Sequence, residues 1–277
     1  MADIGTLYVV ATPIGNLGDI TARAIQTLSD VDYVAAEDTR VAKKLFSQFE
    51  IKTPLIAYHD HNETEQSDKL IYRLKQGENL ALISDAGTPL INDPGYVIVK
   101  ACREHNIKVV PIPGASAVVT ALCAAGVATD QFYYGGFLPA KSKARCDVLA
   151  TLVERDYCSV YYESTHRILA SLDDMQKVLG DERHIVIARE LTKTFETIKA
   201  GAVSDVIAWI KADHNQQKGE FVVIVEGVKQ AAQMDDKAKN LLKTLQQHLP
   251  PKTAAGIVAD TFGLKKKDVY QYGLGLE

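Results

Sequence analysis

The chain has 277 residues, of which 47% are apolar and 24% charged, and its formal net charge is −4. This composition is typical of a globular protein with a buried core and excludes a largely disordered chain. No apolar run reaches the roughly 18 residues that a membrane-spanning helix needs, and the first residues lack the basic and apolar regions of a signal peptide. We therefore expect a cytoplasmic protein with no membrane partner.

The charge is unevenly distributed along the chain. Residues 228–277 hold 8 lysines against 5 acidic residues, so the preceding residues carry the whole acidic excess. This favours an anionic partner for the tail, although surface composition alone also produces differences of this size. The four cysteines form no CxxC pair, which indicates reduced core thiols rather than a disulfide framework or a zinc site.

The first part of the chain alternates short apolar runs with helical patterns, which is typical of parallel strands joined by helices. The first strand ends in a loop rich in glycine and proline, and Asp19 is expected to cap the helix that follows. Polar or glycine-containing segments follow the other strands too. The predicted strands are 7–11, 31–36, 55–57, 79–84 and 107–112, and the predicted helices include 68–76, 96–104 and 115–125.

A second alternation follows, with different detail. Either Ser164 or Thr165 is expected to cap a helix that ends at Leu179, and the segments 135–139 and 189–196 are predicted loops. We place a domain boundary between residues 116 and 117. The predicted strands are 132–134, 158–162, 184–188 and 220–225, and the other predicted helices are 141–153 and 203–211.

The tail is predicted to be helical alone, with helices at 234–249, 253–262 and 265–272, and the domains are therefore 1–116, 117–228 and 229–277. Small residues at 255, 259 and 263 have the spacing of a helix-turn-helix whose second helix begins with three lysines. The pattern is compatible with a nucleic-acid-binding element, although the spacing alone favours a helical cap that carries solvated lysines.

Several common chemistries are excluded by missing motifs. The turn after the first strand is not G-x-G-x-x-G, and the chain contains no P-loop, H-E-x-x-H or G-x-S-x-G segment. His59, His61 and Glu63 could ligate a metal, but their place in a polar loop favours a substrate-facing or solvated cluster, so no metal site is predicted. Asp85 is either a turn carboxylate or a ligand contact.

Five segments together resemble a known family. They closely resemble the motifs of the tetrapyrrole methylase superfamily, in the bacterial branch that methylates ribosomal RNA, and the tail resembles the helix-turn-helix extension of that branch. The segments are 11–21, 36–40, 84–95, 162–167 and 188–196.

The resemblance implies an α/β fold with two α/β domains, a cofactor cleft between them and a small C-terminal helical extension. It also implies S-adenosyl-L-methionine as donor and the ribose 2′-hydroxyl of a cytidine in the decoding centre of 16S rRNA as acceptor. The expected partners are that rRNA or the small ribosomal subunit and a second copy of the chain, with no DNA. A tetrapyrrole C-methyltransferase and a non-catalytic ribosome assembly factor are the alternatives.

The resemblance also implies which residues contact the donor. They come from the three turns after strands of the first domain and from strands of the second domain. The expected donor contacts are Pro13, Ile14, Gly15, Asp85, Gly87, Thr88, Ser116, Ala117, Tyr162, Ala188 and Glu220.

Methyl transfer to a hydroxyl needs either a group that takes up the proton or a cation that stabilises the developing alkoxide. Glu163, Arg167, Glu190 and Lys193 are the candidates, and each could instead position RNA or form a structural ion pair. RNA affinity should come mainly from basic side chains that neutralise phosphates. The candidates for this role are Arg40, Lys43, His59, His61, Lys141, Lys143, Arg145, Arg167, Lys265, Lys266 and Lys267.

Overall fold

The computed structural model describes residues 4–228 and 234–274. The chain divides into two compact units. The first holds the residues up to Val153 together with Tyr157–Glu226, and the second holds the residues from Gly227 onward together with Glu154–Asp156. The predicted domain limit between residues 228 and 229 adjoins the segment 229–233, which lies outside the described residues.

The first unit contains two sheets, and the first of these is parallel throughout. Its strand order is β3-β2-β4-β1-β5. Because all five strands run in one direction, the turns after their carboxyl ends lie at the same edge of the sheet. The strands are β1 (Thr6–Val10), β2 (Tyr33–Ala36), β3 (Leu55–Ala57), β4 (Leu80–Ile83) and β5 (Lys108–Ile112).

Helices cover both faces of this sheet. Along β4, Ala81 and Ile83 belong to one buried cluster, and Leu80 and Leu82 belong to the other, as expected from the alternation of side chains along a strand. The covering helices are α1 (Ala22–Asp30), α2 (Thr39–Gln48), α3 (Glu63–Lys75) and α4 (Tyr96–Glu104), and α5 (Ala117–Ala124) follows β5.

The second sheet has the order β6-β7-β10-β8-β9, and only its β6–β7 pair is parallel. One face packs on α6 to α8, and the other packs on α5, the helix that follows the first sheet. This packing joins the two sheets into one unit. The elements are β6 (Phe132–Phe137), α6 (Ser142–Ala150), β7 (Cys158–Ser164), α7 (Ile168–Leu179), β8 (His184–Arg189), β9 (Thr197–Ala202), α8 (Val203–Ala212) and β10 (Glu220–Val225).

Four local predictions were wrong. Thr21, rather than Asp19, caps α1, because the hydroxyl of Thr21 accepts from the amide of Ala24 over 3.0 Å. No side chain caps α7, since Thr165 instead exchanges hydrogen bonds with the backbone of Gly219. Helix α3 begins five residues earlier than predicted, and β6 continues through the predicted loop as far as Phe137.

The second unit is helical in its described part. It contains α9 (Asp236–Gln246), α10 (Pro251–Phe262) and α11 (Lys266–Leu274) around a small buried cluster. Gly263 has φ of +64° and ends α10, and Pro251 at the first turn of that helix needs no amide partner. Within residues 4–228 and 234–274, no helix is long and apolar enough to cross a membrane.

Candidate functional site

Three turns of the first sheet are tied together by hydrogen bonds. The amide of Thr12 donates to the carbonyl of Gly87 over 2.8 Å, and the amide of Gly87 donates back to the carbonyl of Thr12 over 3.1 Å. The hydroxyl of Thr88 donates to the carbonyl of Ala115 over 3.1 Å. These bonds join segments that are far apart in sequence, so they hold the three turns as one wall.

Gly87 is the point at which this wall needs a glycine. Its φ is +85°, which an L side chain rarely adopts. A Cβ at this position would lie 3.3 Å from Cγ2 of Ile14, tighter than an ordinary contact. The glycine therefore allows the second turn to approach the first.

A cavity of about 480 Å³ lies against this wall, and the second sheet lines its other side. The segment after β4 also contributes lining residues that are not among the predicted donor contacts. Eight of the predicted donor contacts line the cavity, namely Ile14, Gly87, Thr88, Ser116, Ala117, Tyr162, Ala188 and Glu220.

The cavity has a buried floor and an exposed rim. Ala188 is fully buried and Leu191 is 6% exposed, and both line the cavity. At the rim, Ile91 and Phe137 are 40% and 49% exposed. A ligand that fills the site would therefore meet buried apolar surface at the floor and solvent at the mouth.

Three predicted donor contacts do not line the cavity. Pro13 and Gly15 belong to the first turn, and Asp85 is exposed at the end of β4, where its Oδ1 accepts from the amide of Asp38 over 3.0 Å. A Cβ at Gly15 would lie 2.5 Å from Cγ of Lys193, so this glycine lets the second half of the unit approach the first turn.

Sequence reasoning missed several lining residues. Ile91, Asn92 and Asp93 lie inside a motif segment that was recognised, but none of the three was singled out. Phe137 was assigned to a loop, and His166 was not among the candidate site residues. The signal that could have found Phe137 is an aromatic residue at the carboxyl end of a strand, next to a pair of glycines.

Acidic side chains crowd the edge of the first sheet near the cavity. Burial raises the pKa of Asp93, and the negative charges of Asp85 and Asp60 add to this, while a hydrogen bond from Ser84 opposes it. Burial likewise raises the pKa of Glu37. This side of the site is therefore suited to a cationic group, whose charge would favour the ionised carboxylates.

Glu163, which is buried near the end of β7, pairs with the partly exposed Arg167 at the start of α7. The Nε of Arg167 lies 2.9 Å from Oε1 of Glu163, whose side chain has no exposed surface. The carboxylate also accepts from the hydroxyl of Ser171 over 2.6 Å and from the amide of Ser164 over 2.8 Å. Glu163 lines the cavity, but its oxygens are already engaged by these donors.

Lys193 links two carboxylates on the second sheet. Its Nζ lies 3.0 Å from Oε1 of Glu190 and 2.8 Å from Oε2 of Glu220. Burial acts to lower the pKa of Lys193, but the hydrogen bonds from the ammonium to the two carboxylates outweigh it and raise the pKa. Glu220 lines the cavity, so the ammonium of Lys193 contacts a lining residue.

The proposed RNA-binding residues do not form one group. Arg145 is only 3% exposed and pairs with Asp174 over 2.6 Å, so its prediction as a phosphate contact is withdrawn. His59 is half-buried, and its ring lies 6.0 Å from the ring of the exposed His61. Arg167 is partly buried and pairs with Glu163, and the remaining basic candidates are exposed, namely Arg40, Lys43, Lys141, Lys143, Lys265, Lys266 and Lys267. In the part of the chain that the structure describes, no group of three or more His, Cys, Asp or Glu side chains could hold a metal ion.

Comparison with known families identifies the class of this fold. Residues 6–207 match the family Tetrapyrrole (Corrin/Porphyrin) Methylases, and residues 231–277 match the RsmI C-terminal HTH domain. Among solved structures, the methyltransferase CobJ aligns with a TM-score of 0.60 and 17% identity over 81% of this chain and 95% of that one. A uroporphyrin-III-C-methyltransferase from Thermus thermophilus aligns with a TM-score of 0.56 and 18% identity over 80% and 94%. At these identities the likeness concerns the fold alone, and it confirms the predicted fold class.

Curated sequences include much more similar relatives. A protein of Haemophilus influenzae is 54% identical over 99% of this chain and 98% of its own length. Relatives from Escherichia coli O157:H7 and Pseudomonas aeruginosa are 52% and 48% identical, each over 98% of this chain and over 95% and 97% of their own lengths. All three are named ribosomal RNA small subunit methyltransferase I. The chain therefore belongs to this family of tetrapyrrole methylase-fold proteins.

Proposed function

We propose that this protein transfers a methyl group from S-adenosyl-L-methionine to 16S rRNA of the small ribosomal subunit. The observation that carries the proposal is the 54% identity, over nearly the whole chain, to a protein named for methylation of that RNA. The motif segments further support the ribose 2′-hydroxyl of a cytidine in the decoding centre as the acceptor. We also propose that the protein works in the cytoplasm as a homodimer whose domains are 1–116, 117–228 and 229–277.

The residues present fit this donor. A volume of about 480 Å³ falls within the range of about 300–1,000 Å³ that is usual for small-molecule sites. Ala188 and Leu191 offer apolar surface, and Asp93 and Glu220 offer carboxylates for the cationic parts of the donor. The eight lining residues are the proposed donor contacts, while Pro13, Gly15 and Asp85 would shape the turns behind them.

The donor, when bound, supplies an electrophilic methyl group on a positively charged sulfur. The task of the protein is then to hold the acceptor oxygen in line with that methyl group, and such positioning can supply much of the rate. The tied turns at Thr12, Gly87 and Thr88 favour this, because a rigid wall loses little freedom when the ligands bind.

The four candidate side chains have different capacities for the proton step. Lys193 stays protonated at neutral pH because its pKa is raised, so it can stabilise a developing alkoxide but cannot accept the proton. Glu163 has its oxygens engaged and is better suited to orienting Arg167. Glu190 is held ionised, since burial acts to raise its pKa but hydrogen bonds from the amide of Glu220 and from Lys193 lower it.

We expect Lys193→Met to slow single-turnover methyl transfer by about tenfold or more, in line with the loss of one electrostatic stabiliser. The same single-turnover rate is measured, at saturating donor and RNA, for three further variants: Glu163→Gln, Arg167→Met and Glu190→Gln. Lys211→Met is the matched control, because this exposed lysine pairs with Asp173 and does not line the cavity. Wild-type rates in all four variants would remove these residues from the chemical step.

The overall proposal is tested with the purified protein and labelled S-adenosyl-L-methionine. Small ribosomal subunits, naked 16S rRNA and a precorrin are offered separately as acceptors. Label on a cytidine ribose in the decoding centre supports the proposal. Label on the precorrin would support tetrapyrrole C-methylation, and RNA binding without transfer would indicate an assembly factor.

We propose that the exposed lysines at the start of α11 contribute to RNA binding. Replacing Lys265, Lys266 and Lys267 together with glutamine should weaken affinity for small subunits and reduce the slope of log affinity against log salt by about 2. The control replaces three dispersed exposed lysines of the same unit with glutamine, namely Lys237, Lys243 and Lys252. Binding assays over a range of salt concentrations compare the two triple variants, and equal slopes would argue against a specific role for the lysine cluster. Donor affinity should be unchanged in both variants.

A further inference from the structure

Phe137 is an aromatic side chain left half in water at the mouth of the cavity. It ends β6, lines the cavity and is 49% exposed. The ring of Tyr162 meets it edge to face at 5.5 Å between centroids, and the guanidinium carbon of Arg167 lies 5.7 Å from its centroid. These contacts fix the orientation of the ring and leave about half of its surface free for another planar group.

The segment after β4 brings a second apolar side chain to the same rim. The hydroxyl of Tyr134 donates to Oδ1 of Asn92 over 2.9 Å, and a Cβ at Gly136 would lie 2.8 Å from that oxygen. Ile91 precedes Asn92 and Phe137 follows Gly136 in the sequence, and both Ile91 and Phe137 line the cavity. The backbone at Asn92 has φ of +67°, so the contact holds the segment in a conformation that a non-glycine residue seldom adopts.

Exposure separates this rim from the floor of the cavity. The lining residues Ala188 and Val222 are 0% and 4% exposed, whereas Ile91 and Phe137 are 40% and 49% exposed. Because buried side chains close the floor, an RNA acceptor must approach a donor bound there from the mouth. The exposed ring then lies on the acceptor side of the site.

We infer that Phe137 forms a stacking site for the nucleobase of the nucleotide that is methylated, with Ile91 lining the same rim. Unpaired bases are commonly bound by stacking on aromatic side chains, because every base has a flat apolar face. Stacking at this point would hold the attached ribose beside the floor of the cavity. The inference rests on the proposed function, since it presumes an RNA acceptor.

The strand that carries Phe137 also supplies its control. Phe132 lies at the other end of β6 and is 46% exposed, but it does not line the cavity. Phe132→Leu and Phe137→Leu therefore remove rings of nearly equal exposure from one strand. Phe137→Tyr restores the ring and serves as the rescue variant.

Phe137→Leu should lower kcat/KM for small ribosomal subunits by about tenfold or more, the loss expected for one stacked base. Phe137→Tyr and Phe132→Leu should keep values near wild type, and calorimetry should give an unchanged donor affinity for all three. A wild-type kcat/KM in Phe137→Leu would overturn the inference. So would a loss of donor affinity in that variant, because the ring would then hold the donor.

A crosslinking experiment separates failure of this inference from failure of the proposed function. A 16S rRNA fragment with 5-iodocytidine in the decoding centre is irradiated with the donor-saturated full-length protein, and crosslinked peptides are identified by mass spectrometry. A crosslink at Phe137 supports the stacking site even if no methyl transfer is detected. Methyl transfer to the unmodified fragment without a crosslink at Phe137 overturns the inference and leaves the proposed function intact. If neither methyl transfer nor a crosslink at Phe137 is found, both are rejected for this acceptor.

Discussion

Gly87→Ala is expected to lower the affinity for S-adenosyl-L-methionine at least about tenfold, the scale on which misplacement of a positioned contact is felt. A residue with a side chain has a strained backbone at φ of +85°, and its Cβ would lie 3.3 Å from Cγ2 of Ile14. Because Gly87 exchanges two backbone hydrogen bonds with Thr12, relief of this crowding must move two of the three turns that line the cavity. Calorimetric titration with the donor measures the effect.

Gly180→Ala provides the matched control for backbone strain. Gly180 has φ of +89° at the end of α7, and a Cβ there would meet nothing within 4 Å. Both substitutions should lower the free energy of unfolding by about 1–3 kcal/mol through strain alone. Only Gly87→Ala should lose donor affinity. Equal donor affinity in the two variants would contradict the assignment of the second turn as part of the donor site.

Arg145→Met is expected to lower the free energy of unfolding by about 3–5 kcal/mol, the cost of removing one partner of a buried ion pair. The guanidinium pairs with Asp174 over 2.6 Å and also donates to three backbone carbonyls. Its loss strands a largely buried carboxylate. Urea denaturation at neutral pH measures the change.

Two further variants test this explanation. Arg145→Met combined with Asp174→Leu should recover part of the lost stability, because no unpaired charge is then buried. Arg40→Met should hardly change stability, since the side chain of Arg40 is 87% exposed and its pair with Asp38 lies in solvent. Wild-type stability in Arg145→Met would show that this arginine has no structural role.

The effect of Arg145→Met on the free energy of unfolding should also depend on pH. Burial acts to raise the pKa of Asp174, but hydrogen bonds from Ser142 and Arg145 outweigh it and lower the pKa below its ordinary value. A carboxylate with a lowered pKa in the folded state stabilises the protein above the unfolded pKa of about 3.9 and loses that contribution as the pH falls. The stability difference between wild type and Arg145→Met should therefore shrink below about pH 4.

Local sequence patterns were sufficient for most of the elements that carry the site. The predicted limits of β3, α4 and β10 agree with the structure, because continuous apolar runs and helical spacing depend only on neighbouring residues. Strand β9 (Thr197–Ala202) was missed. It lies at the edge of the second sheet and contains small and charged residues, so its pairing with β8 leaves no strong local pattern.

The site was only partly accessible to sequence reasoning. The turns at Ile14, Gly87 and Ser116 were found because turn-forming residues directly follow buried strands. Arg145 was misread because the sequence shows only a basic residue near the start of a helix. It does not show that Asp174, 29 positions further along, pairs with this guanidinium in the folded protein. Phe137 was overlooked because its exposure at the cavity depends on where β6 lies against β7.

The amino-acid sequence by itself determined the family, most of the strands and helices in their order, and the three turns of the first sheet, because these depend on contiguous residues. Only the tertiary structure decided which polar groups face the cavity and which are engaged elsewhere. In the folded protein, Thr12 is hydrogen-bonded to Gly87, Arg145 is buried and the ring of Phe137 is half exposed. The physical reason is that burial and hydrogen-bond partners are set by residues distant in sequence, whereas strand and turn propensities are set locally.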